Sequence, residues 1–299
     1  MVFVKNWSYA MVVFLGGCSY GVLSTFVKLA YGAGFEMPEV VGSQFLFGAC
    51  LIWLLVLFRR KKITKITRSS FIKLLIAGTP SGLTGIFYYK SLMSTDASLA
   101  IIFLFQFIWI GTLLEWIFYK HIPSRNKVIS IIILLFGSIL AAGVIGLDSF
   151  SWIGLGWGLL AAVTFSIFIL VSGAVEKQTS AVLKSAIFSL GAFILVSILF
   201  PPMFLFDTEQ LFSLAPYGLL LGFFGVLLPP LLFSFGMPVV GPSLGTILSA
   251  SELPVAVIMS AIILKETIAA WQWVGVICIL LGIIIGNGQI LLKRKQARM

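Results

Sequence analysis

Charge is scarce in this sequence. Only 10% of its 299 residues are Asp, Glu, Lys or Arg, against about 25% in soluble domains. Hydrophobic residues reach 60% and mean hydropathy is +1.13, more apolar surface than a single water-soluble core of this length can hide. A soluble enzyme is excluded on that ground. Histidine is nearly absent, His121 being the one copy, so a two-histidine metal site cannot be assembled and no cofactor is expected. No glycine-rich phosphate motif stands at a strand–helix junction, so no nucleotide-hydrolysing site is expected. Cys18, Cys50 and Cys278 all lie in apolar runs, which argues against a disulfide framework and makes them small packing residues.

What fills the sequence is runs of the ~20 apolar residues that a membrane helix requires. Ten lie near 8–31, 39–58, 71–92, 96–118, 127–146, 152–173, 182–204, 213–236, 242–264 and 269–291. The least marked division is between the eighth and ninth, at Gly236–Pro242. Lys5 precedes the first run, but no small-residue cleavage site follows it, so that run is expected to be an uncleaved membrane helix.

The formal net charge of +10 would suggest nucleic acid in a soluble chain. Its distribution says otherwise. With the N-terminus in the cytoplasm, seventeen of the twenty basic residues fall in cytoplasmic segments, concentrated at 59–73, 120–127, 177–184 and 293–298. Seven of the ten acids fall on the other side. This is the positive-inside pattern, so both termini are expected in the cytoplasm. The partners expected are a small-molecule substrate and membrane lipids, with no nucleic acid, in a monomer or homodimer.

Sliding the chain by 145 positions aligns 97–143 with 242–288 without a gap. Lys120 meets Lys265, Gly137 meets Gly282 and Gly143 meets Gly288, and Ser19-Tyr20 lies over Thr164-Phe165. Each half then holds five helices, residues 1–146 and 147–299. Because five is odd, the second half enters the membrane opposite to the first. The fold class is therefore an all-α membrane protein of ten transmembrane helices in two inverted five-helix repeats. Such repeats commonly place a substrate site near the midplane between the halves.

Glu252 is the sharpest single residue. It sits inside the ninth run, where a charge costs ~2.5–3.5 kcal/mol to insert and defaults to a functional hypothesis. Proton coupling and direct binding of a cationic substrate are both open, as is a neutral acid hydrogen-bonded to a neighbouring helix. Pro254 cannot donate to the carbonyl of Ala250, which leaves an acceptor beside Ser251 and Glu252. Lys28 shares a face of the first helix with Gly17, Gly21 and Ser24, a stripe suited to lining a cavity or to tight helix contact. Lys28 and Lys90 either snorkel to the headgroups or face inward to receive a carboxylate or phosphate. Tyr20, Ser81, Thr84, Tyr88, Gln106 and Trp109 complete the expected pocket.

The third run is punctuated by Gly78, Pro80, Gly82 and Gly85, and the matching part of the eighth by Pro229 and Pro230. Paired weak points in two halves mark a transport pathway, so Gly78, Gly82, Gly85, Pro229 and Pro230 are expected to be hinges; close packing is the alternative. Gly137 with Ala141 and Gly282 with Gly286 are small-residue pairs suited to helix contact.

The stretch 242–288, with Pro254, Lys265-Glu266 and the glycines of the tenth run, resembles the second EamA domain of the drug/metabolite transporter superfamily. "SYGVLSTFVK" at 19–28 resembles the opening of that domain. Trp109 stands where the family has a proline and His121 where it has a glutamate. The resemblance implies a central cavity lined by helices one, three, four, six, eight and nine, peripheral fifth and tenth helices, alternating access, and substrates such as amino acids. The family includes importers and exporters, so direction is not inherited; the expected protein is an inner-membrane exporter of a small polar or amphiphilic metabolite. Its rival is a membrane-embedded enzyme or lipid-handling protein that transports no solute.

Overall fold

The computed structural model describes residues 2–59, 66–95, 97–143, 151–265 and 267–286. Those residues are helical almost throughout, with no strand among them. In chain order they form α1 (Trp7–Gly32), α2 (Met37–Arg59), α3 (Arg68–Ser94), α4 (Leu99–Tyr119), α5 (Arg125–Ala141), α6 (Trp152–Ala174), α7 (Ala181–Leu199), α8 (Thr208–Val240), α9 (Pro242–Ile263) and α10 (Ala270–Gly286). Eight are long and apolar enough to cross a membrane; α5 and α10 are shorter, at 17 residues each. Each apolar run of the sequence overlaps one of these helices. Residues 60–65, 144–150 and 287–299, with Asp96 and Glu266, lie outside the described residues and carry part of the expected charge pattern.

Local chemistry sets the helix ends. Gly241, at φ +83°, closes α8, and Pro242 opens α9. Glycine tolerates positive φ, and proline sits where a first-turn N–H has no partner to lose. Lys120 ends α4 at φ +58°, and Lys265 follows α9 at φ +55°, so the lysines paired by the 145-residue offset adopt one conformation. Lys184, counted above as a cytoplasmic loop charge, is instead buried at the start of α7. Its Nζ donates to the carbonyls of Ser172 and Val175 at 2.8 and 2.6 Å, capping the end of α6.

The helices pack in a pattern that survives exchange of each helix with the one five places along. α3 packs on α6 and α7, and α8 packs correspondingly on α1 and α2. α4 meets α6 as α9 meets α1. α2 and α7, α4 and α9, and α5 and α10 each pack on their own equivalent. In the last pair, Ser130 Oγ donates to the Gly282 carbonyl at 2.7 Å, and a Cβ on Gly137 would lie 3.0 Å from the Gly275 carbonyl. Around the outside, large apolar side chains such as Ile76, Ile132, Ile198 and Ile262 are exposed, as suits a lipid-facing belt.

The glycines and proline that punctuate the third run do not divide it: α3 is one helix from Arg68 to Ser94. Pro80 has no N–H to give the Ile76 carbonyl, but Thr79 Oγ1 donates to it at 2.8 Å, so the helix continues. The glycines there serve a crossing. A Cβ on Gly78 would collide with the Phe188 carbonyl of α7, and one on Gly82 would press on the Ala192 carbonyl at 3.0 Å.

Candidate functional site

Four helices are broken at mid-length. α1 turns at Val22, between Val2–Gly21 and Leu23–Gly32, where the Val22 N–H reaches the Ser19 carbonyl at 3.3 Å. α9 turns at Ala250-Ser251, between Pro242–Ser249 and Glu252–Ile263. Pro254 leaves the Ala250 carbonyl without its usual donor, and the N–H of Leu253 takes it at 3.4 Å. α4 turns at Gln106, between Ala97–Phe105 and Phe107–Tyr119. Gln106 and Ser251 are paired by the same offset. In α8 a π-helical stretch, Gly222–Leu227, precedes Pro229 and Pro230. The Val226 carbonyl, which Pro230 cannot reach, accepts from Ser189 Oγ at 3.1 Å, and that of Phe224 accepts from Ser19 Oγ at 2.7 Å. Non-helical backbone is tolerated at membrane depth only when its polar groups are satisfied in this way.

These breaks border a central cavity. Its polar lining is Tyr20 and Ser24 from α1, Gln44 from α2, Ser81, Thr84, Tyr88 and Tyr89 from α3, Ser189 from α7 and Glu252 from α9. Phe45, Ile101, Leu104, Phe105 and Phe165 supply apolar walls. Tyr89 donates to Gln44 Oε1 at 2.8 Å, and Thr84 Oγ1 donates to Thr164 Oγ1 at 3.0 Å, joining α3 to α2 and α6. A vestibule shares Ser24, Val27, Tyr88, Ile101, Leu253 and Ala256 with the cavity and adds Thr25, Lys28, Tyr31, Ser260 and Gln272. It reaches the face where α1 ends and α10 begins.

Toward the opposite face the cavity is floored by aromatic rings. Phe107 and Phe165 meet edge to face at 4.8 Å, and Tyr20 meets Phe165 at 5.4 Å and Phe233 at 6.0 Å. Phe168 lies beneath, 6.0 Å from Phe188 and 6.3 Å from Phe233. All five phenylalanines are buried. The void is thus open on one side and sealed on the other.

Glu252 is the one acidic residue in the central lining, and no Lys, Arg or His accompanies it there. Among the described residues no hydrogen bond or ion pair engages its carboxylate. Tyr20 and Tyr88 stand close enough to interact with it electrostatically. The backbone around it is held by α1: Ser251 Oγ donates to the Phe14 carbonyl at 2.8 Å, and Gly21 lies directly against the Glu252 carbonyl.

A model of the EamA-like transporter family matches residues 7–143 and again residues 152–287. The chain belongs to the EamA-like transporter family. It is accordingly a multi-pass membrane protein built from two copies of one unit. A solved structure described only as "Crystal structure of protein" shares the fold, with a TM-score of 0.75 at 15% identity over 95% of this chain and 98% of that one. No curated protein matches this chain.

In this EamA-like chain the structure brings together Tyr20, Ser24, Tyr88 and Glu252 around the central cavity, with Gly85 and Pro230 in its wall. Lys28 lines the vestibule. Three other expected pocket residues do not line either space. Gln106 turns back on its own helix, its Nε2 donating to the Ile102 carbonyl at 3.1 Å and its Oε1 accepting from Trp109 Nε1 at 2.8 Å. Trp109 is exposed on the outside of α4, and Ser251 is buried against α1. Lys90 lies over the Trp157 ring, 4.5 Å from its centroid. Gly78 and Gly82 sit in the α3–α7 crossing, and Pro229 is buried in α8 beside the π turn.

The lining also includes residues that sequence reasoning passed over: Gln44, Tyr89 and Ser189. Helices α2 and α7 therefore join the six that the family resemblance implied. A signal existed, since Gln44 and Ser189 are 145 residues apart, but each stands in an otherwise apolar helix and reads as packing.

Proposed function

We propose that this chain is a secondary transporter, and not an enzyme, that exports a small polar or amphiphilic metabolite such as an amino acid by alternating access about the central cavity. The observation that carries the reading is Glu252, a carboxylate with no hydrogen-bond or ion-pair partner among the described residues, at the break of α9 in a cavity open to one face only. Broken helices around a midplane site are the usual setting for substrate and coupling-ion binding in such folds. Glu252 carries the coupling proton, Tyr20, Ser24 and Tyr88 contact substrate, and Lys28 guards the vestibule. The π turn with Pro229 and Pro230, together with Gly78, Gly82 and Gly85, supplies the hinges.

In the same reading all ten helices cross the cell inner membrane, α5 and α10 with 17 residues each, at the lower end of the spanning range of about 17–25. The basic segments hold both termini in the cytoplasm, and residues 1–146 and 147–299 are inverted repeats. The vestibule then faces outward and the phenylalanine floor faces the cytoplasm.

Screening purified protein for thermal stabilisation by amino acids, amines, nucleosides and sugar phosphates, followed by counterflow of the stabilising class in proteoliposomes, tests the proposal. Counterflow that Glu252→Gln abolishes is the expected result. Stabilisation by lipids alone would refute the carrier, and wild-type rate and pH dependence in Glu252→Gln would refute the coupling role.

A further inference from the structure

The 145-residue offset relates the polar side of the cavity to its sealed side. Tyr20, Tyr88 and Glu252 correspond to Phe165, Phe233 and Phe107. The first three line the open cavity; their equivalents are buried in the aromatic floor, at 4%, 0% and 0% exposure. Because the packing survives exchange of the halves, the oppositely open state follows when each half takes up the other's arrangement. Tyr20, Tyr88 and Glu252 then form the sealed layer, and Glu252 occupies the place that Phe107 holds here. An unpaired carboxylate is not tolerated in such packing, so its charge has to be cancelled before the vestibule side closes.

The lining states what can cancel it. One carboxylate calls for one positive charge. Tyr20 and Tyr88 line the cavity beside it, and aromatic rings at such a site attract a desolvated ammonium. The rest of the central wall is apolar or hydroxylic apart from the Gln44 amide, whose oxygen already accepts from Tyr89, and it has no basic side chain to receive a substrate's anionic group. Lys28, further out, is already engaged within the protein.

We propose that the central cavity binds an organic cation of single charge, with an aromatic or apolar body, on Glu252, and that this cation and a proton are alternative neutralisers, either of which lets the vestibule side close. The inference rests on the transporter reading and narrows its substrate class. It also accounts for exchange, since one carboxylate cannot hold both ions. The titratable or charged groups nearest Glu252 are Tyr20 and Cys18 on α1 and Tyr88 on α3, with Lys28 further along α1 in the vestibule.

The test titrates the purified full chain with 2-phenylethylamine, phenylalanine and 3-phenylpropionate, which share a ring and differ in charge. The amine binds, the acid does not, and the zwitterion binds at least about tenfold more weakly than the amine, the scale of a single charge-assisted hydrogen bond. Amine affinity rises with pH in the wild type, is lost in Glu252→Gln and is partly kept in Glu252→Asp. Unfolding temperatures of both variants show that they are folded. Equal binding of acid or zwitterion, or wild-type amine affinity in Glu252→Gln, overturns the proposal. Proteoliposome flux separates this from the carrier reading. Glu252-dependent amine binding without flux overturns the carrier and leaves the ligand class standing. Flux of a zwitterion whose binding ignores Glu252 overturns the ligand class and leaves the carrier.

Discussion

Ser251 Oγ donates a 2.8 Å hydrogen bond to the backbone carbonyl of Phe14, and through it the turn that carries Glu252 is fastened to α1. The contact joins the two halves at the depth of the cavity, so disturbing it should be felt both in stability and at the site.

Ser251→Ala leaves the Phe14 carbonyl without that donor in a buried position. The carbonyl keeps its helical partner within α1, so the expected cost is that of one hydrogen bond, about 0.5–1.5 kcal/mol, seen as a lowered unfolding temperature in detergent. Ser213→Ala, at an exposed site on α8 where the hydroxyl bonds only its own helix, should move it little. Equal effects of the two would contradict the assignment.

Gly21 makes the same junction by omission. A Cβ there would collide with the Glu252 carbonyl and approach Val255 Cβ to 2.7 Å, whereas a Cβ on Gly156 would meet nothing within 4 Å. Gly21→Ala should therefore destabilise by about 1–3 kcal/mol, as overpacked sites do, and Gly156→Ala should be close to neutral. Thermal unfolding of the pair checks the contrast.

What sequence could and could not reveal follows from these contacts. The helices were legible because a membrane span demands a long apolar run, and the repeat because Lys120 and Lys265 punctuate both halves alike. The cavity was legible where a residue is anomalous for its surroundings, as Glu252 is. Gln106 misled because its amide serves the freed carbonyl of Ile102, a matter of side-chain direction that spacing does not encode. That α3 runs unbroken through Gly78–Gly85 was not legible, because the donor Pro80 lacks is replaced by the Thr79 hydroxyl, a matter of side-chain direction again. Which side of the cavity is open depends on how the two halves are arranged in space, and no pattern along one chain records that.

Accessibility should follow the open and sealed sides. In a chain with Cys18, Cys50 and Cys278 replaced, Ser24→Cys in the vestibule should react with a membrane-impermeant thiol reagent, and Phe188→Cys behind the aromatic floor should not. Ligand that closes the vestibule should slow labelling at Ser24→Cys. Equal labelling at both positions would mean that the floor is not a seal.

Tyr89→Phe keeps the ring and removes the 2.8 Å bond to Gln44 Oε1. With that buried oxygen unpaired, a loss of about 1–3 kcal/mol is expected. Ligand affinity should fall as well, because both residues line the cavity. Stability and titration measured on the same preparation distinguish this from an unchanged site.

The most direct test of Glu252-coupled exchange uses proteoliposomes that are acidic inside and phenyltrimethylammonium outside, a cation with no neutral form to leak through the bilayer. Wild-type protein should concentrate the cation inside above its external level as protons leave, and Glu252→Gln should not. Accumulation by Glu252→Gln equal to that of the wild type would contradict the account.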